Sequence, residues 1–285
     1  MTGAILLAAS VVAALGALVV TGVLFVQGRR KPDTTGEYVA LGSSFAAGIG
    51  LGPRPAGSPI ACMRSANGYP SLLARQLGLS LVDMSCSGSS TRHILQGGRA
   101  FLGAQIDAVG AATRLVTITS GGNDVGYIGD LFAAAGKAGF IARWRATPAL
   151  PVDARDFGQV TANLVRIVDE VRRRAPNARV ALVGYPTVVP ATGPFGALEI
   201  ADEAAVLSRQ VGERLHEATR RAADQAGAIF VDMHAPGVGH DACSAQPWIN
   251  GASPTSGTPF HPNRAGAQAV ADAIAKVLAD KAESP

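Results

Sequence analysis

The chain has 285 residues, 25 Lys and Arg against 21 Asp and Glu, and a formal net charge of +4. Hydrophobic residues make up 48% and aromatics only 5%, so a core has to be built mainly from Ala, Val, Leu and Ile. The basic excess is mild and nowhere interleaved with aromatics, which argues against nucleic acid as a partner. The cysteines Cys62, Cys86 and Cys243 do not fit a disulfide-dense scaffold or a CxxC zinc site, and histidine spacings typical of metal ligands are missing, so neither a metal nor a cofactor is expected. One bridge with a thiol left over, or three reduced thiols, are both compatible with these residues.

Residues 4–26 carry no charged side chain. At about 1.5 Å of rise per residue, a helix over this run is long enough to cross a hydrocarbon core. No small-x-small cleavage site follows it, so residues 1–36 read as an uncleaved N-terminal transmembrane anchor, or a signal, plus a short linker over 32–36. The basic cluster Arg29-Arg30-Lys31 lies behind the run, and by the positive-inside rule that favours a cytoplasmic C-terminal part.

A folded domain is expected over 37–285. Residues 38–42 form a short apolar run that stops at Gly42, as a buried strand does, and Ser43-Ser44-Phe45 follow. By itself Ser44 is an ordinary turn residue. A Gly/Pro-rich loop is expected over 49–67, a helix over 68–77, and a second strand over 79–84 that ends in Ser85-Cys86-Ser87-Gly88. Residues 115–119 make a third strand, which runs into Gly121-Gly122-Asn123-Asp124. A helix is expected over 126–137, with Asp124 as its cap. The connection through Trp144 and Pro151 carries no clear pattern. Phe157, Val160, Leu164, Ile167, Val168 and Val171 fall at three- and four-residue steps, the stripe of an amphipathic helix. A fourth strand is expected over 179–184, with Tyr185-Pro186 turning away from it. A long helix over 198–225, a short strand over 228–233 and a loop over 234–260 come next. A closing helix begins at Pro262. Strands alternating with helices point to right-handed crossovers and a parallel sheet covered on both faces. The expected fold is a three-layer α/β/α sandwich of about five parallel strands, flavodoxin-like in class.

Four separated pieces then stand in a telling order: Gly42-Ser43-Ser44-Phe45, the glycine at 88, Gly121-Gly122-Asn123-Asp124, and Phe260-His261-Pro262-Asn263. This order resembles the SGNH hydrolases, also called GDSL lipases and esterases. The resemblance implies a serine esterase or lipase that works through an acyl-enzyme. It implies Ser44 as nucleophile, His261 as general base, and an oxyanion hole made by Ser44 N–H, Gly88 N–H and the Asn123 amide. The physical logic is sound, since a serine hydroxyl needs a neighbouring base and developing oxyanion charge needs fixed donors. His93, His216, His234 and His240 have no such context and read as surface or structural.

Two positions depart from the family pattern. Position 43 is serine where the family has aspartate, and position 258 is threonine where an aspartate often orients the histidine. The chain is similar to a secreted actinobacterial branch that uses a backbone carbonyl instead. The carbonyl of Thr258 is therefore the expected partner of His261, with Asp241 the alternative. The same resemblance implies a Cys62–Cys86 disulfide, a free Cys243, and a catalytic domain outside the cytoplasmic membrane, against the charge rule. Expected partners are an ester substrate (lipid or acylated cell-envelope glycan) and a membrane through residues 4–26. Acyl transfer to an envelope glycan or lipid uses the same residues. A catalytically inactive, membrane-tethered binding module is the remaining alternative.

Overall fold

The structure, a computed structural model, describes residues 2–28, 31–137 and 149–283. Arg29, Arg30 and Trp144 lie outside them. Five strands form one wholly parallel sheet in the order β2-β1-β3-β4-β5. They are β1 (Tyr38–Gly42), β2 (Leu81–Asp83), β3 (Leu115–Thr119), β4 (Arg179–Val183) and β5 (Ile229–Val231). In register, Tyr38 faces Leu81 on one side and Leu115 on the other, and Gly42 faces Thr119. This places the ends of β1 and β3 side by side. The order reverses between those two strands, and open α/β sheets bind ligands at such a switch point.

The central strands read as unbroken apolar runs because both faces are covered, and strand alternation divides their side chains between two cores. Val39 and Leu41 join Val116, Ile118 and Leu182 on one side. Tyr38, Ala40, Leu115 and Val183 pack on the other. The first core is capped by α6 (Phe157–Arg174) and α7 (Asp202–Ala226), and the second by α3 (Tyr69–Leu77) and α9 (Arg264–Glu283). In α6 the expected stripe from Phe157 to Val171 is buried. Full burial of such a side chain contributes roughly 1.5–3 kcal/mol. Asp156 caps this helix by accepting the Gln159 N–H at 2.7 Å. Arg172, Arg173 and Arg174 occupy its last turn, where cations suit the helix dipole.

Several expected elements differ in extent. The edge strands β2 and β5 have three residues each, since residues at an edge lack a second neighbour to extend the ladder. The helix expected over 126–137 is α5 (Tyr127–Ala134). Three short helices were not expected: α2 (Ser44–Ala47), α4 (Thr91–Gln96) and α8 (His234–Gly237). Each is too short to carry a hydrophobic period.

The N-terminal helix α1 spans Thr2–Gly28. Among the described residues no helix is long and apolar enough to cross a membrane, so the transmembrane anchor expected over 4–26 is not supported. The end of α1 is instead packed on the domain. Phe25 meets Phe101 edge-on at 6.3 Å, and the Gln27 side-chain oxygen accepts the Ile60 N–H at 3.1 Å.

Candidate active site

Strand β1 ends in a turn that only glycine fits. Gly42 has φ 143, and a Cβ there would run into the carbonyl of Thr119. The amide of Gln105 clamps this glycine from both sides, accepting its N–H at 2.8 Å and donating to its carbonyl at 3.0 Å. Cys86 N–H donates to the same carbonyl at 3.0 Å. The clamp fixes the turn that carries Ser43, which is buried, and Ser44, which is half-buried at the start of α2.

His261 comes from the opposite end of the chain, in the turn before α9. Asn250 and the 260–261 backbone hold it in a narrow two-stranded pairing: Phe260 N–H donates to Asn250 O at 3.1 Å, and Asn250 N–H to His261 O at 2.9 Å. Its Nε2 lies 2.8 Å from Ser44 Oγ, across 217 positions of sequence. Its Nδ1 lies 2.7 Å from the Pro259 carbonyl. A carbonyl can only accept, so Nδ1 carries the proton and Nε2 presents its lone pair to the Ser44 hydroxyl. Burial pulls the His261 pKa down to about 4, against a smaller upward pull from the Pro259 hydrogen bond. The imidazole is therefore neutral, and available as a base, well below pH 6. Phe45 and Phe132 flank the ring, at 5.2 and 6.1 Å between centroids.

The orienting carbonyl is thus that of Pro259 and not that of Thr258. The Thr258 carbonyl is already engaged, accepting Asn250 Nδ2 at 3.0 Å and the His261 N–H at 3.4 Å. Phe260, with φ 57, bends the chain between Pro259 and His261. Asp241, the alternative partner, accepts the Cys243 N–H at 2.9 Å.

Gly88 and Asn123 sit in the loops after β2 and β3. Gly88 has φ 80, a conformation suited to glycine. Neither its N–H nor that of Ser44 meets an acceptor among the described residues. Asn123 Nδ2 donates one hydrogen to the Ser89 carbonyl at 2.8 Å, which ties the two loops together and leaves the second amide hydrogen for a ligand. Asp124 caps α4 rather than the following helix: its carboxylate accepts the Thr91 N–H at 3.0 Å and also the Thr91 hydroxyl. The Cys62–Cys86 disulfide is present, and Cys243 is a free thiol. Among the described residues no cluster of His, Cys, Asp or Glu is arranged to hold a metal ion.

Two residues of the site went unread in the sequence. Tyr185 is buried, and its hydroxyl accepts the Gly122 N–H at 3.1 Å and lies 3.4 Å from Ser43 Oγ. Burial pushes its pKa up to about 12, so it stays a neutral phenol beside the position where the family has a carboxylate. Arg99 donates from Nε to the Ser87 carbonyl at 3.1 Å, directly beside Gly88. Both come from segments with no local pattern pointing to the site.

A serine hydroxyl facing an oriented neutral imidazole at a switch point, with two backbone N–H groups and one amide hydrogen uncommitted among the described residues, suits acyl transfer. Comparison with known proteins gives the lineage. The model of the GDSL-like lipase/acylhydrolase family matches residues 40–269. The chain belongs to this family. It is 35% identical over 256 residues to Lipase 2 of Streptomyces coelicolor, covering 85% of each chain. Among solved structures it is similar to phospholipase A1 from Streptomyces albidoflavus NA297, with a TM-score of 0.68 and 27% identity over 87% of this chain and 99% of that one. It is also similar to the extracellular lipase of Streptomyces rimosus, with a TM-score of 0.65 and 26% identity over 84% and 98%. This GDSL-family chain is accordingly a carboxylic ester hydrolase of the lipase/esterase type, on the expected parallel five-stranded α/β fold.

Proposed function

We propose that the chain hydrolyses carboxylic esters, of a lipid or an acylated glycan, through an acyl-enzyme on Ser44. The observation that carries this reading is the 2.8 Å contact between Ser44 Oγ and His261 Nε2, with Nδ1 committed to a carbonyl. Ser44 Oγ attacks the ester carbonyl as Nε2 takes its proton. The tetrahedral oxyanion is met by the N–H groups of Ser44 and Gly88 and by the Asn123 amide. Nε2 then gives the proton to the departing alcohol, and the acid stays esterified to Ser44. Water attacks that ester with His261 again as base, and the acid is released with Ser44 restored.

Imidazolium forms transiently in each half, in a pocket where burial disfavours it. The Pro259 carbonyl offsets part of that cost throughout, and the nearby oxyanion adds to it only while the tetrahedral species exists, so stabilisation is greater in the transition state than in the ground state. A carboxylate behind the histidine would hold the proton more tightly. Its absence makes the base weaker but keeps it neutral in mildly acidic conditions.

The Cys62–Cys86 bridge supports a site of action outside the cytoplasm, because disulfides persist in oxidising compartments. The extracellular lipase of Streptomyces rimosus is consistent with that placement. Residues 37–285 are proposed as the hydrolase unit. Turnover of p-nitrophenyl esters of graded chain length by the wild type and by Ser44→Ala tests the reading. Loss of about 10⁴-fold or more in kcat is expected for the variant, since a missing nucleophile removes the covalent route. Full turnover by Ser44→Ala would sink it.

A further inference from the structure

The loop that carries Gly88 also walls a cavity of about 220 Å³, bounded in part by Cys86 and Ser89. Ser44 and His261 do not line it. Its apolar sides come from residues such as Pro59, Met84 and Leu102, while its titratable side chains are Lys31, Arg64, His93, Arg99 and a single acid, Asp107.

Three of these groups are already engaged. Asp107 pairs with Arg174 at 3.1 Å. Arg64 donates to the Ser85 carbonyl at 2.5 Å and is balanced by the half-buried Asp83 carboxyl. His93 Nδ1 accepts the Ser90 N–H at 3.0 Å. Arg99 and Lys31 remain, and among the described residues neither is paired with a carboxylate. Among the described residues Arg99 spends only its Nε on protein, at Ser87 O. Its guanidinium rests on the Cα of Gly88, where a Cβ would come within 2.9 Å of Nε and Nη2. One cation therefore touches both the candidate oxyanion glycine and the cavity, with its terminal nitrogens uncommitted among the described residues. A half-buried cation with apolar walls around it suits a ligand that is anionic at one end and apolar beside it.

We propose that this cavity is an anion subsite, in which Arg99 and Lys31 hold a phosphate-type anion carried by the ester substrate and the apolar walls take the adjoining chain. Its catalytic consequence rests on the hydrolase reading above; its binding consequence does not. The preferred substrates are then esters of amphiphiles that bear a phosphate close to the scissile bond.

Two measurements test it. The first is isothermal titration of the full chain with decyl phosphate, decanol and inorganic phosphate, on the wild type, Arg99→Ala, Arg99→Lys and Lys31→Ala. Decyl phosphate is expected to bind more tightly than either half-ligand. Arg99→Ala should weaken it by about 10- to 100-fold, the range of a charge-assisted hydrogen bond, with partial recovery in Arg99→Lys. Lys31→Ala, at an exposed position, should weaken it by about threefold. The second is the ratio of kcat/KM on dioctanoyl phosphatidic acid to kcat/KM on dioctanoylglycerol. That ratio should fall about 10-fold or more in Arg99→Ala. Unchanged decyl phosphate binding in folded Arg99→Ala and Lys31→Ala would overturn the subsite. An equal fall on both lipids would overturn it too, because Arg99 would then merely brace the Gly88 loop. Inorganic phosphate binding as tightly as decyl phosphate would remove the apolar half of the proposal. Failure of the wild type to cleave either lipid counts against the hydrolase reading, while the titrations still decide the subsite.

Discussion

The two halves of the site are held in different ways. The half proposed to carry the nucleophile and the oxyanion hole is tied down by side chains: Gln105 on Gly42, Tyr185 on Gly122, Asn123 on Ser89, Asp124 on Thr91, and the Cys62–Cys86 bridge. The histidine half is set mainly by backbone. Pro259 O faces Nδ1, the Asn250 pairing frames the turn, and Phe45 and Phe132 shield the ring. The difference shows where precision is needed. Oxyanion donors must be fixed before charge develops, because reorganising them during reaction forfeits their benefit. A base needs only the right tautomer and a ring aimed at the hydroxyl, and one carbonyl supplies both.

The comparison can be broken first on its side-chain half. Asn123→Ala removes one donor and the link to Ser89, and kcat should fall by about 10²–10³-fold with little change in KM. Steady-state kinetics on a p-nitrophenyl ester would read this. An unchanged kcat would mean that Asn123 serves only to join the loops. Removing the bridge with Cys62→Ala/Cys86→Ala should cost about 3 kcal/mol of folding stability in the chain-entropy picture, since the two cysteines are 24 positions apart. Denaturant unfolding would measure that, and a loss well under 1 kcal/mol would show that the loop is ordered without it.

The backbone half is tested by pH. With a pKa near 4, His261 is mostly neutral at pH 5, so about 30-fold more base is available than for a histidine titrating at 6.5. The acid limb of kcat/KM should accordingly lie near pH 4, and a limb at 6.5 or above would contradict the burial argument. Acid also acts on folding. Between about 6.5 and 4 the unfolded chain binds this proton and the folded chain does not. Stability from this group is therefore complete above about 6.5 and is lost as pH falls through that window, so initial rates have to be taken before unfolding intervenes.

Much of this was legible in the sequence. Strong local signals survive folding: the glycine stop after β1, the Gly121-Gly122-Asn123-Asp124 turn after β3, and the stripe of α6 all lie where their patterns put them. Ser44 and His261 could be paired only through resemblance, because nothing in the spacing of residues 217 positions apart encodes contact. The partner of His261 was missed by one residue, because it depends on the φ of Phe260 and on the prior engagement of Thr258 O. Tyr185 and Arg99 escape the sequence because each reaches the site, from a loop and from a short 3-10 turn, through tertiary packing alone. The N-terminal run was read for its length and lack of charge, and those features carry no information about Phe25 docking on Phe101.

We propose Ser44 as a base-activated nucleophile in front of an oxyanion hole. Fluorophosphonate labelling followed by peptide mass spectrometry tests this, because the probe reacts far faster with a base-activated hydroxyl than with an ordinary one. Stoichiometric label is expected on Ser44 and none in Ser44→Ala, with sharply slower labelling in His261→Ala. Folded wild-type protein that stays unlabelled, or that is labelled at another serine, would contradict it.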